Sequence, residues 1–252
     1  MRAAEDGDEI DVGAIPRGDH WDDDRGPRRM QVAHPTTLDG AVDALAATPG
    51  AQLLAGGTDF CVEVNFGHRR PRAIVALRRV DELRGYELTP GTVRVGAGTT
   101  YADMGSGELA SVLPALAAAA RTVGSPQIRN AGTLGGNLAT ASPAGDALPL
   151  LVALDALVRV RGPAGERVVP LDRFVTGVKR TVLAPDEVVV DVVVERCRGP
   201  QEFLKVGTRN AMVIAIASVA VVVDTGARRV RAALGSVAPA PGRCHEAEAL
   251  AR

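Results

Sequence analysis

Two short glycine-rich runs, Ala55-Gly56-Gly57-Thr58-Asp59 and Thr133-Leu134-Gly135-Gly136-Asn137, are the residues of this chain best suited to chemistry. Paired glycines leave consecutive backbone N–H groups uncovered, and a nest of such donors holds anionic oxygens. A hydrogen bond to a charged group contributes roughly 1.5–3 kcal/mol, so two loops gripping one pyrophosphate would supply much of a dinucleotide's affinity. Other chemistries find little support. There is no Ser-His-Asp order with a nucleophile elbow and no Gly-x-x-x-x-Gly-Lys-Ser/Thr loop, so no catalytic acid, base or nucleophile is assigned. Cys61, Cys197 and Cys244 form no C-x-x-C pair, and His20, His34, His68 and His245 are scattered, so neither a metal site nor an iron–sulfur ligand set is read here.

The elements that must position the two runs follow from periodicity. Thr36 or Thr37 caps a helix with Ala41, Val42, Leu45 and Ala46 on one face, and Pro49-Gly50 ends it. Gln52 to Ala55 reads as a short strand feeding the first glycine run, and Ala73 to Leu77 as a second, giving a small β-α-β-like lobe. A second lobe follows, with a strand at Val93 to Ala97, a helix near Tyr101 to Leu109 and an alanine-rich helix from Pro114 to Val123. Strands around Arg159 and at Val188 to Val194 complete it. Ser218 to Val223 and Val230 to Gly235 read as an antiparallel hairpin, and His245 to Arg252 as the opening of a helix.

Composition narrows the class. The 252 residues can bury a sizeable core, and 29 basic against 30 acidic residues give a net charge of −1, so nothing marks nucleic acid or an acidic membrane as a partner. The longest strongly apolar run, Met212 to Val223, is too short to span a bilayer. The first thirty residues are acidic and lack the apolar core of a signal peptide, so a cytoplasmic location is expected. Residues 1–29 carry too little apolar surface to offset the entropy of ordering and are expected to be disordered, unless the chain is first translated from Met30.

The stretch from Ile128 through Thr133, Gly135, Gly136 and Asn137 to Ser142-Pro-Ala-Gly-Asp146 resembles the FAD-binding medium subunit of the molybdenum hydroxylases, the xanthine dehydrogenase and aerobic carbon monoxide dehydrogenase family. Three further segments carry the same resemblance: Leu53 to Phe60, Leu183-Ala-Pro-Asp-Glu-Val-Val189 and Phe203-Leu-Lys-Val-Gly-Thr-Arg209. It implies an α+β fold, with a two-lobed PCMH-type FAD-binding domain over 30–198, its lobes at about 30–85 and 86–198. A C-terminal α+β domain of the carbon monoxide dehydrogenase flavoprotein type follows over 199–252. Family members continue further with helix, so that domain reads as truncated, and packing and docking there are in doubt.

The resemblance also assigns residues. Leu53, Leu54, Ala55, Gly56, Gly57, Thr58, Asp59 and Phe60 would wrap the pyrophosphate of a non-covalently bound FAD, with Thr133, Leu134, Gly135, Gly136 and Asn137 closing from the other side. Asp146 would be repelled by phosphate and would accept from ribose hydroxyls or the adenosine end, unless it is a solvated loop aspartate or a helix cap before Ala147 to Leu154. Val123 and Val189 would pack on the cofactor, or else fill the core. Lys205 would place a positive charge by the flavin and favour its reduced form, unless Lys205 and Arg209 form a solvated pair. Arg129 either meets a phosphate or holds the loop through backbone carbonyls, and His68 is read as a surface residue, not a covalent tether. Such a subunit is a relay: a molybdopterin-binding large subunit oxidises substrate, a small subunit with 2Fe–2S clusters passes electrons on, and FAD here delivers them to NAD, oxygen or another acceptor. The expected assembly is a heterotrimer or its dimer. A self-sufficient flavin oxidase of the same fold and a non-catalytic truncated remnant stay open. A Rossmann dehydrogenase is disfavoured, because its nearest fingerprint, Gly96-Ala-Gly98-Thr-Thr-Tyr101, ends in tyrosine.

Overall fold

The computed structural model describes residues 30–251. The acidic segment 1–29, with its expected disorder, lies outside the described residues. In the first lobe the hydroxyl of Thr37 accepts from the Gly40 N–H at 3.1 Å and starts the helix Leu38–Ala47, whose Ala41, Val42 and Leu45 are buried. That helix joins two strands of a three-stranded parallel sheet in which Ala73–Ala76 lies between Gln31–Ala33 and Gln52–Leu54. The β-α-β reading therefore holds.

The second lobe is built on a five-stranded antiparallel sheet, in the order Tyr86–Leu88, Thr92–Gly96, Val188–Glu195, Leu157–Gly162, Gly165–Pro170. Its central strand, Val188–Glu195, is valine-rich and almost wholly buried, as expected of a strand covered on both faces. Asp191, fully buried in that strand, is held by Arg159, whose Nε lies 2.7 Å from Oδ1, and by Arg94, whose Nη1 lies 3.2 Å from Oδ2. Two guanidinium groups offset the cost of placing a carboxylate in the sheet. The helix expected near Tyr101 to Leu109 is two, Tyr101–Met104 and Gly107–Val112, because Gly105-Ser106-Gly107 interrupts it and Gly107 takes φ +66°.

A third sheet of four antiparallel strands follows, Gln201–Val206, Ala217–Asp224, Arg229–Gly235 and Gly242–Arg243. It includes the expected hairpin. The helices Pro114–Thr122 and Ala147–Ala153 pack against its inner face, so that one apolar cluster runs from Val93 and Val192 through Leu116, Leu148 and Leu151 to Phe203, Ala220 and Val222. A smaller cluster under the first lobe joins Ala41, Val42 and Leu45 to Val75, Val188 and Val190. The strand Val188–Glu195 serves both cores, one on each face, and this fixes the first lobe against the rest. Among the described residues no helix is long and apolar enough to cross a membrane.

Candidate cofactor-binding site

The first glycine run links the strand Gln52–Leu54 to the short helix Phe60–Asn65. Gly57 takes φ +75°, a conformation that side-chain-bearing residues rarely adopt. Among the described residues, the backbone N–H groups of Gly56, Gly57, Thr58 and Asp59 have no hydrogen-bond partner. Four successive donors are thus left for something outside the chain.

The second run behaves differently. Thr133 caps a helix, Leu134–Thr140, so the glycines lie in its first turn and not in an open loop. Its donors are used internally: Leu134 N–H reaches Thr99 O at 3.0 Å, Gly135 N–H reaches Ala97 O at 2.7 Å, Gly136 N–H reaches Thr133 Oγ1 at 3.1 Å and Asn137 N–H reaches Thr133 O at 3.0 Å. The expectation of two donor nests is corrected here to one. The second run supplies smooth, close-packed surface instead. A Cβ on Gly135 would stand 2.6 Å from the Ala97 Cβ, whereas one on Gly136 would meet only Thr133 Oγ1 at 3.1 Å.

The two runs meet through Gly56. A Cβ there would stand 1.8 Å from the Ala131 carbonyl oxygen and 3.0 Å from Gly132 Cα, so glycine is required for the backbones to touch. Between and beside them opens a cavity of about 810 Å³, a size suited to a cofactor. Its wall takes Leu53, Ala55, Gly56, Gly57, Thr58, Asp59 and Phe60 from the first run and Thr133, Gly135, Gly136 and Asn137 from the second. Leu183, Ala184, Pro185, Glu187 and Val189 of the third motif complete it. Leu54, Val123, Leu134, Asp146 and Lys205 do not line it. Leu134 is fully buried in the core, and Val123 gives its carbonyl to Arg129, which also binds the Gly124 carbonyl, so Arg129 holds the loop.

Asp146 and Lys205 instead form a buried pair behind the wall, with Nζ 2.6 Å from Oδ2 and the Thr122 hydroxyl 3.1 Å from the same oxygen. Lys205 is therefore not part of a solvated pair, and the exposed Arg209 turns away to the Met212 carbonyl. Burial pushes the Asp146 carboxyl above its usual range while Lys205 and Thr122 oppose this. Asp146 stands at the N-cap of the helix Ala147–Ala153 and makes no capping bond with its side chain.

At the mouth, Glu63 receives Lys179 Nζ at 2.5 Å and Arg69 Nε at 2.8 Å, and these cations, Lys179 foremost, hold its carboxyl below the usual range. Arg78 and Arg84 also line the cavity. The wall suits a dinucleotide on two counts, four unpaired N–H groups and a buried Asn137 Oδ1 without a partner, while its four cationic side chains are matched by the carboxylates of Asp59, Glu63, Asp103 and Glu187. Fold and site together define a dinucleotide-binding α+β domain.

A family model described as the FAD binding domain in molybdopterin dehydrogenase matches residues 28–195. The xanthine dehydrogenase FAD-binding subunit of Escherichia coli O157:H7 is 35% identical over 226 residues, covering 86% of this chain and 77% of the relative. The carbon monoxide dehydrogenase medium chain of Hydrogenophaga pseudoflava is 35% identical over 168 residues, covering 66% of this chain and 58% of that protein. A solved carbon monoxide dehydrogenase from the same organism superposes with a TM-score of 0.82 at 34% identity, over 88% of this chain and 79% of that one. The chain belongs to the FAD-binding medium subunits of the molybdenum hydroxylases and is a subunit of an FAD-dependent oxidoreductase. Its α+β architecture is that of the carbon monoxide dehydrogenase flavoprotein.

Sequence reasoning missed several wall residues. Tyr101, Glu63, Lys179 and the arginines carry no motif of their own, and they reach the cavity because the fold brings separate turns together. A faint signal was available for Tyr101, one of only 2 tyrosines in the chain, placed directly after a glycine-rich turn.

Proposed function

We propose that this chain binds FAD non-covalently in the cavity and serves as the electron-transfer subunit between a 2Fe–2S partner and a final acceptor such as NAD or oxygen. The observation that carries the reading is the row of four unpaired N–H groups at Gly56–Asp59 on the cavity wall. They would receive the pyrophosphate, with Arg78 and Arg84 adding positive charge nearby, whereas Arg69 and Lys179 are paired with Glu63. Asn137, Gly136 and Val189 would contact the rest of the molecule. FAD, when bound, supplies the redox chemistry, and the protein positions it and limits access of water. The partners in this reading are a molybdopterin-binding large subunit and a 2Fe–2S small subunit, with the complex in the cytoplasm. Asp146 and Lys205 act from behind the wall, as a buried pair close to the cofactor, and not on its phosphates.

The test is direct. Protein purified from cells is expected to be yellow, to release FAD on acid treatment and to co-purify with both partners when the three are co-expressed. Release of FMN, or a colourless protein that ignores added FAD, sinks the cofactor assignment.

A further inference from the structure

We propose that Tyr101 is a cofactor-positioning residue whose phenol hydroxyl donates a hydrogen bond to an uncharged acceptor of the dinucleotide in the cavity. This rests on the FAD reading above. Tyr101 is 6% exposed and lines the cavity. Its hydroxyl makes no hydrogen bond among the described residues and is not among the fully buried atoms that lack a partner. The hydroxyl keeps an accessible side on the cavity, where a ligand or ordered water can pair with it.

The ring is fixed in place before any ligand arrives. A Cβ on Gly132 would stand 3.0 Å from both Cδ2 and Cε2, so glycine lets the ring lie flat against the chain there. The Tyr101 N–H donates to the Gly132 carbonyl at 3.1 Å. Its helix is held by a capping box in which the Asp103 N–H reaches Thr100 Oγ1 at 3.2 Å and the Thr100 N–H reaches Asp103 Oδ2 at 3.3 Å. A donor locked in this way contributes more than a mobile one, because little freedom remains to be lost on binding.

Charge decides what the hydroxyl can recognise. Burial, then the carboxylates of Asp146 and Asp59, raise the phenol well above its ordinary range, so it stays protonated and can donate. Asp146 is paired with Lys205, so of these two carboxylates Asp59 is the one that disfavours a phosphate beside the ring. The acceptor is therefore a carbonyl, a ring nitrogen or a sugar-type hydroxyl, and the pyrophosphate remains with the N–H groups of the first run.

The experiment compares wild type, Tyr101→Phe and Tyr86→Phe in the full chain, by calorimetric titration with FAD and with ADP and by melting of the FAD-free proteins. Removing one neutral hydrogen bond is expected to weaken FAD binding about 3- to 10-fold in Tyr101→Phe. The melting temperature of its FAD-free form is expected to stay unchanged, because the hydroxyl has no protein partner to leave unpaired. Tyr86, 42% exposed and outside the cavity wall, is expected to behave as wild type. A matching loss with ADP assigns the acceptor to the adenosine end, and a loss confined to FAD assigns it to the flavin end. Unchanged FAD affinity in Tyr101→Phe overturns the assignment, as does a lower melting temperature without FAD, which would give the hydroxyl to the fold. A wild type that binds no FAD overturns both this inference and the function on which it rests.

Discussion

Two glycines of the cavity differ in what a methyl group would meet, and the difference separates binding from folding. At Gly136 an added Cβ enters the cavity with only Thr133 Oγ1 nearby, so Gly136→Ala is expected to weaken FAD binding at least tenfold while the melting temperature of the FAD-free protein barely moves. At Gly56 the same methyl would run into the Ala131 carbonyl, so Gly56→Ala is expected to cost about 1–3 kcal/mol in urea unfolding, with or without cofactor. Equal effects at the two sites would contradict this division. Lys205 calls for a similar distinction. Its side chain and that of Asp146 are 8% and 4% exposed, so Lys205→Met leaves a buried carboxylate unpaired and is expected to destabilise the fold by about 3–5 kcal/mol. Adding Asp146→Asn should restore much of that stability, and unfolding of the two variants checks it. The glycines were legible in the sequence because glycine has one dominant physical reason to be paired in such a turn. Lys205 was legible as unusual, but its partner was not, since an ion pair between positions far apart in the chain exists only once the strand Gln201–Val206 reaches the N-cap of the helix Ala147–Ala153.

Elements with a clear period were read well, and elements made by tertiary partners were not. The helix Leu38–Ala47 and the hairpin of the third sheet follow from apolar spacing and turn residues. The helix that begins at Leu134 was hidden, because glycine disfavours helix and the Thr133 cap competes with the reading of the same residues as a loop. The short helix His245–Leu250 is held by one side chain: Glu248 binds Arg243 Nη2 at 2.8 Å and accepts from the Ala232 N–H at 2.9 Å. Arg243 first, and then the Ala232 N–H, hold its carboxyl at about 2 in place of 4.5. A lowered carboxylate stabilises the folded state above the unfolded value and loses that contribution as pH falls. The attachment of this helix is therefore expected to be intact above pH 4.5 and to weaken progressively toward pH 2. Hydrogen exchange at the Ala232 amide, compared between wild type and Glu248→Ala, checks this. The variant should exchange fast at neutral pH and show no further acid dependence from this source.

At the scale of the whole molecule, the third sheet shares its core with the second lobe, since Phe203, Ala220 and Val222 join the cluster that contains Val93 and Leu148. The proposed boundary near residue 198 thus separates segments of sequence whose apolar faces are pressed together. A chain ending at 198 is expected to expose the inner sides of the helices Pro114–Thr122 and Ala147–Ala153, to bind a hydrophobic dye and to unfold at a lower urea concentration than the full chain. A truncated protein with an unchanged midpoint would make the last 54 residues, counted from 199 to 252, an independent unit. The close approach of Gly56 to Ala131 has a further effect, on how the protein comes into being. During synthesis the first glycine run leaves the ribosome long before the turn on which it rests, and closing the intervening loop costs chain entropy that local contacts do not offset. The cradle for the pyrophosphate is therefore a late product of folding. FAD can select and trap the finished domain, but a nascent chain that ends before Ala131 has no site to offer it.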